Sequence, residues 1–338
     1  MFASRLSSQA SGLFISTVIA ASTWVPAMAQ AEPRRPECIA PAQPGGGFDL
    51  TCRLAQTGMR ESKALEKPMR IVYMPGGIGA VAYNSIITQR PADGSAIAAF
   101  SSGSLLNLAQ GKFGKYSADD VRWLATVGAD YGVAVVRADS PYQDLKGLMA
   151  AFKEDPSQVV LGAGGSIGSQ DWMKAALTAR AAGVDYKKMR FVAFEGGGEA
   201  VTALRGGHVQ AFMGDAAEAV TMLEGGAPIR VLAVFHSERL PGKLADVPTA
   251  AEQGFNIEWP IIRGFYVGPK VSDADYRWWQ QAFDKAMATP EFRKAQAQLG
   301  LMPFNKTGPE LDHYIKARTR HYTELATSFD LVKQDLVK

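Results

Sequence analysis

Pro44-Gly45-Gly46-Gly47-Phe48-Asp49 is the stretch on which the reading of this chain turns. A short apolar run, Cys38-Ile39-Ala40-Pro41-Ala42, comes before it, and Leu50-Thr51-Cys52-Arg53-Leu54-Ala55, which reads as a helix, comes after. Three successive glycines lack a Cβ, so the backbone can turn sharply and leave its N–H groups uncovered. The helix behind them adds unpaired first-turn N–H groups and the positive end of its dipole. A strand, a glycine turn and a helix start together form a site for a carboxylate or phosphate. One such turn can equally serve only to reverse the chain, so the weight comes from repetition.

The device recurs along the chain. Arg70 to Met74 leads through Pro75-Gly76-Gly77-Ile78-Gly79 into a helical stretch, and Ala96 to Phe100 leads through Ser101-Ser102-Gly103-Ser104 into Leu105 to Gln110. Ser117-Ala118-Asp119-Asp120 reads as a capping box, with strands at Trp123 to Val127 and Val133 to Arg137. A second set has turns at Gly162 to Ser169, Glu195-Gly196-Gly197-Gly198 and Gly214-Asp215, each after an apolar run and before a helix. The alternation predicts an α/β protein of two lobes, each a mainly parallel sheet flanked by helices. A strand at Arg263 to Val267 and three terminal helices return the chain to the first lobe. The expected boundaries are a leader at 1–29, one lobe from 30–138 and 259–338, and the other from 139–258.

That leader rests on Arg5, an uncharged apolar stretch from Gly12 to about Ala21, and a small-x-small site at Ala27-Met28-Ala29. This is the pattern of a secretory signal peptide cleaved near Gln30, and it predicts an exported, periplasmic protein. With 47% hydrophobic residues, 20% charged residues and a net charge of +3, the chain has an ordinary globular composition and no nucleic-acid footprint. Its four histidines form no metal-ligand pattern, so neither metal nor cofactor is expected. The only two cysteines, Cys38 and Cys52, suggest a disulfide in an oxidising compartment. The usual helix-on-sheet spacing of about 10 Å, against the roughly 7 Å limit between bridged Cα atoms, keeps two buried free thiols open.

Ligands of open parallel sheets sit beyond the carboxyl ends of the strands, where all these turns lie. The candidate ligand-binding residues are Gly46, Gly47, Phe48, Asp49, Ser101, Ser102 and Ser104 on one lobe, and Gly165, Ser166, Ser169, Gly197 and Asp215 on the other. Asp49 is expected to fix its turn and helix start without touching the anion. A rival reading takes Gly164-Gly165-Ser166-Ile167-Gly168 as a hydrolase nucleophile elbow, with Asp215 and His236 completing a triad.

These segments resemble the substrate-binding proteins of tripartite tricarboxylate transporters, the Bug or TctC family. The resemblance is carried by the turns at Pro44–Asp49 with Arg53, Pro75–Gly79, Pro91-Ala92-Asp93-Gly94 and Gly164–Gly168. It continues through Phe194–Ala200 to Leu204-Arg205-Gly206-Gly207, Ile229–Val234 with Arg239, Asp246-Val247-Pro248-Thr249 and Glu252-Gln253-Gly254-Phe255. It covers essentially the whole mature chain. It implies a two-lobed, type II-like Venus-flytrap binding protein rather than an enzyme, which closes on a small carboxylate and delivers it to membrane permease subunits. It also implies that the turns at Gly46–Asp49 and Gly165–Ser169 grip the ligand's carboxylates. Phe48 departs from the small or hydroxyl residue of many members. With the cysteines and Ile261–Tyr266, it looks most like the citrate- and tricarballylate-binding branch. Arg263 is then a candidate partner for a third carboxylate, against the plainer reading that it pairs with an acid at the lobe boundary. A monomer is expected. Reporting the ligand to a sensor kinase instead of a permease fits the same residues.

Overall fold

Cys38, Ile39 and Ala40 are fully buried because their strand, β1 (Glu37–Ala40), lies between two parallel neighbours and leads into α1 (Gly47–Glu61) beneath an apolar cover. The computed structural model describes Met1 and residues 32–332. Contacts divide the chain into Met1–Gln30 and Ala31–Lys338. The fold belongs to the second unit, and the leader expected over 1–29 lies outside the described residues beyond Met1.

The strand–turn–helix device repeats as β2 (Arg70–Tyr73) with α2 (Ala80–Thr88) and β3 (Ala96–Ser101) with α3 (Ser102–Ala109). After β4 (Arg122–Arg137) come α4 (Leu145–Glu154), β5 (Val160–Gly164), α5 (Gln170–Ala181), β6 (Arg190–Phe194) and α6 (Gly197–Arg205). They are followed by β7 (Ala211–Phe212), α7 (Ala216–Glu224), β8 (Ile229–Phe235) and β9 (Pro260–Val267). The chain ends in α8 (Asp273–Met287), α9 (Pro290–Gln298), β10 (Met302–Thr307) and α10 (Gly308–Thr327). Among the described residues no helix is long and apolar enough to cross a membrane.

The strands divide into two groups that share one member. β2, β1 and β3 run parallel, and β3 passes to the antiparallel β9. β9 lies antiparallel along β4 from Arg122 to Tyr131, with β10 also pairing β4. Beyond Tyr131, β4 pairs antiparallel with β8 and β7; β7 then pairs in parallel with β5, and β5 with β6. Each lobe therefore has parallel outer strands joined through β4.

Two expectations fail here, for local reasons. Trp123 to Val127 and Val133 to Arg137 are one sixteen-residue strand. The polar break between them, around Asp130, is a buried ion pair inside the strand: Asp130 is 0% exposed and accepts from Arg263. Gly132 keeps the strand close to its neighbours, since a Cβ there would fall 2.7 Å from Lys174 Cδ. The box at Ser117–Asp120 closes a turn instead of opening a helix, because β4 begins at Arg122 and leaves no room for one. The strand β10 carries weak alternation around Pro303 and was not foreseen.

Cys38 and Cys52 form a disulfide with their Cα atoms 5.7 Å apart. The axis spacing overstates their separation because Cys52 sits on the inward side of α1, where a helical Cα stands about 2.3 Å closer to the sheet. The bridge closes a loop at a sequence separation of 14, a size for which the chain-entropy stabilisation is about 3 kcal/mol. Reduction, or the double substitution Cys38→Ser/Cys52→Ser, is expected to lower Tm by several degrees in thermal unfolding with and without reductant. An unchanged Tm would show that the bridge adds nothing to stability.

Candidate functional site

Five helix starts face one cleft: those of α1, α3, α5, α6 and α7. At α1 the cap is Gly46, with no side-chain cap bond, and Gly45 holds φ +91°, where a Cβ would be strained. The turn is held by Asp49, whose carboxylate accepts from the Gly45 N–H at 2.8 Å, Arg53 Nε at 3.0 Å and the Tyr73 hydroxyl at 2.9 Å. Across the cleft, Gly165 holds φ +99° before α5, and a Cβ there would fall 2.8 Å from Ile78 Cγ1. Ile78 itself has φ 48° and ψ 54°, a left-handed conformation strained for a β-branched residue.

The cleft holds two adjoining cavities, and both Ile78 and Asn107 line each of them. The inner one is tight, about 40 Å3, and lies among the starts of α1, α3, α5, α6 and α7. The outer one, about 450 Å3, is lined by Gly165, Ser166, Ser169 and Lys112, with Glu195 and Glu199 also on its wall. Contacts across the cleft close it. Gln110 Nε2 donates to the Gly168 carbonyl at 2.7 Å, and Lys112 Nζ donates to the Ile167 carbonyl. Burial pushes the Lys112 ammonium down to about 8.

Beneath the inner cavity lies a buried charge network. Arg263, 1% exposed, donates through Nε and Nη2 to Asp130 and through Nη2 to Asp215 at 2.7 Å. Lys174, 0% exposed, reaches Asp215 at 2.6 Å and Asp171 at 3.0 Å. Burial works against an ionised Asp215, but Lys174 and Arg263 hold it below the usual carboxylate range. Burial pushes Asp171 up to about 6 against the pull of Lys174. Glu218, in the first turn of α7, accepts the Gly47 N–H at 2.7 Å. Burial, and then the nearby Asp215 and Asp171, push its carboxyl well above the usual range.

Gly46, Gly47, Phe48, Ser101, Gly197, Asp215 and Arg263 line the inner cavity. Gly165, Ser166 and Ser169 line the outer. Ser102 and Ser104 line neither and are spent on the fold. Ser102 Oγ accepts the Ile262 N–H, and Ser104 Oγ the Ser101 N–H in a capping box. Asp215 is committed to Arg263, Lys174 and Gln170, and two nitrogens of Arg263 are committed to acids, the plainer of its two expected roles. The triad pattern is not assembled either: His236 stacks on Tyr131 at 4.0 Å and hydrogen-bonds Ser237, not Asp215 or Ser166. Sequence reasoning missed Glu218, Asp171, Lys174, Asn107, Gln170 and Lys112. A signal for two of them exists: Asp171 and Lys174 interrupt a helix otherwise composed of buried Trp172, Met173, Ala175 and Ala176.

Close packing around Gly47 can be tested directly. A Cβ there would stand 2.7 Å from the guanidinium carbon of Arg263, which is pinned by its acids. Gly47→Ala is expected to destabilise by about 1–3 kcal/mol, read as a fall in the denaturant midpoint. A neutral result would mean that Arg263 is free to move.

Three similarities bear on this architecture. The Pseudomonas sp. (strain P51) UPF0065 protein of the tcbD-tcbE intergenic region is 25% identical over 303 residues, covering 88% of each chain. MatC from Rhodopseudomonas palustris, solved with bound malate, has a TM-score of 0.74 at 22% identity over 86% of this chain and 98% of its own. The periplasmic binding protein BugD has a TM-score of 0.78 at 20% identity over 89% of this chain and 100% of its own. Both structures share the two-lobed solute-binding fold. The family described as "Tripartite tricarboxylate transporter family receptor" matches residues 51–331, and the chain belongs to that family.

Proposed function

We propose that this protein is an extracytoplasmic receptor that captures a small carboxylate by closing its two lobes and passes it to the permease of a tripartite transporter. The observation that carries this reading is the outer cavity. There the start of α5, the hydroxyls of Ser166 and Ser169, and the Lys112 ammonium converge from opposite sides of the cleft. A helix start and an ammonium each favour a carboxylate, and a ligand held by both lobes favours the closed form. The malate in the related MatC structure agrees with this ligand class. The periplasmic address rests on the leader pattern at 1–29. A receptor without turnover is preferred to a hydrolase because, among the described residues, the cavity holding Ser166 has no histidine in its lining to act as base. The tricarboxylate refinement rests on the likeness at Phe48, the cysteines and Ile261–Tyr266; Arg263, its candidate third partner, already spends Nε and Nη2 on Asp130 and Asp215.

Protein stripped of ligand by unfolding and refolding should gain about 2.7 kcal/mol from a carboxylate at a hundred times its Kd. That gain is several degrees of Tm. A neutral sugar should give none, and stabilisation by the sugar alone would reject the reading. Ser166→Ala should weaken carboxylate binding by about 1.5–3 kcal/mol in calorimetry.

The pH dependence follows from Lys112. Its pKa is lowered, so the cation is fully present below about 8 and lost above it. Carboxylate affinity should therefore fall between pH 7 and 9.5, and Lys112→Met should flatten that fall. An identical slope in the variant would remove Lys112 from the site.

A further inference from the structure

The carboxyl of Glu218 stands where the helix-start argument puts a ligand's carboxylate. It projects from the first turn of α7, crosses the cleft and accepts the Gly47 N–H at the start of α1. A Cβ built on Gly197 would lie 2.7 Å from Glu218 Cδ, so the start of α6 closes on the same group. Glu218 is 5% exposed and has no salt-bridge partner among the described residues. Both nearby cations are engaged elsewhere, Lys174 by Asp171 and Asp215, and Arg263 by Asp130 and Asp215.

Two further side chains of the inner cavity, Gln170 and Asn107, also present acceptors. Gln170 donates through Nε2 to both oxygens of Asp215, which fixes the orientation of its amide. Its Oε1 is left buried and unpartnered near Gly103. Asn107, 3% exposed at the junction of the two cavities, likewise leaves Oδ1 buried and unpartnered. A carboxylate placed here would face Glu218, Asp171 and Asp215. Opposing them are Lys174, already shared between Asp171 and Asp215, and Arg263, whose Nη1 has no hydrogen-bond partner among the described residues. The α1 start, worth about half a positive charge, is already opposed by Glu218. A protonated amine has three donors and would meet Glu218, Gln170 Oε1 and Asn107 Oδ1. Space agrees, because about 40 Å3 admits roughly three water-sized groups.

We infer that Glu218 sets the polarity of the ligand: the protein takes a small amino-carboxylate, its ammonium in the inner cavity against Glu218, Gln170 and Asn107, its carboxylate in the outer cavity with Lys112 and the start of α5. The inference rests on the receptor reading and narrows it. The charged groups facing Glu218 are Asp215 at the cap of its own helix, Asp171 and Lys174 from α5, Arg263 from β9 and Asp130 from β4. Burial, with Asp215 and Asp171, raises the Glu218 carboxyl. It is therefore neutral at low pH and becomes a partner for the ammonium as pH rises.

The test is calorimetry on stripped protein with matched pairs that differ only in one end group: succinate against 4-aminobutanoate, glutarate against 5-aminopentanoate, adipate against 6-aminohexanoate. The amino-carboxylate of at least one pair should bind about tenfold tighter or more, since a like charge in its place is repelled. Glu218→Gln keeps the shape and the acceptor for Gly47 N–H, and should bring the pair within about threefold. In the unaltered protein the preference should grow as pH rises above the ordinary carboxylate range, a measurement that stands even if the variant folds poorly. The inference is overturned if the dicarboxylate binds as well or better in every pair, or if neither Glu218→Gln nor pH moves the preference. In both cases a bound dicarboxylate leaves the receptor reading intact. If no carboxylate of either kind binds, the receptor reading falls with it.

Discussion

The buried guanidinium of Arg263 holds the two lobes to one another. It sits on β9, which is laid antiparallel along β4, and reaches Asp130 on β4 and Asp215 at the start of α7. Asp215 passes the link to Lys174, and Lys174 to Asp171, so one chain of alternating charges runs from the central strands into α5. Removing any one member would strand an opposite charge away from water, which is far more destabilising than the intact pair is stabilising. The network therefore acts less as a reservoir of stability than as a constraint on geometry. The starts of α5 and α7 face the cleft at a fixed place because their first-turn acids have to meet these cations.

Around that constraint the helix starts are arranged in two ways. Those at the outer cavity keep polar groups available, with Ser166 exposed and Ser169 capping α5. Those at the inner cavity are largely answered by the protein itself: Asp49 ties its own turn, Ser101 and Ser104 cap α3, and Glu218 covers Gly47. The cleft thus differs along its length: Lys112 shares the outer cavity with Glu195 and Glu199, while three buried carboxyls, Asp171, Asp215 and Glu218, crowd the inner one around Arg263.

Much of this backbone plan was legible in the sequence, because glycine turns, caps and apolar runs are local signals. Gly45 and Gly165 take positive φ at the turns singled out for them, and the helices after Ser272, Thr289 and Thr307 begin where their caps and prolines place them. The side chains that fill the cleft were not legible, because their partners are far away in the chain. Glu218 bonds Gly47 across 171 positions, and nothing around Ala216-Ala217-Glu218 announces it. Hydroxyls misled for the opposite reason: Ser102 and Ser104 lie beside a helix start, and nearby backbone groups claimed them before any ligand. Asp130 falls in the gap left between the two expected strands, where a carboxylate without a visible partner gives no strand signal. Only its distant arginine makes the strand continuous.

The shared strand has a mechanical consequence. β4 pairs with β9 up to Tyr131 and with β8 from Gly132, with no unpaired residue between. The lobes are therefore joined by a hydrogen-bonded ribbon, and any change in the angle between them has to twist that ribbon about its length. A ribbon resists shear and sideways swing far more than twist, so the motion has essentially one degree of freedom. The twist has its tightest point at Gly132, where the smallest residue lets the ribbon pass between Lys174 and Phe235.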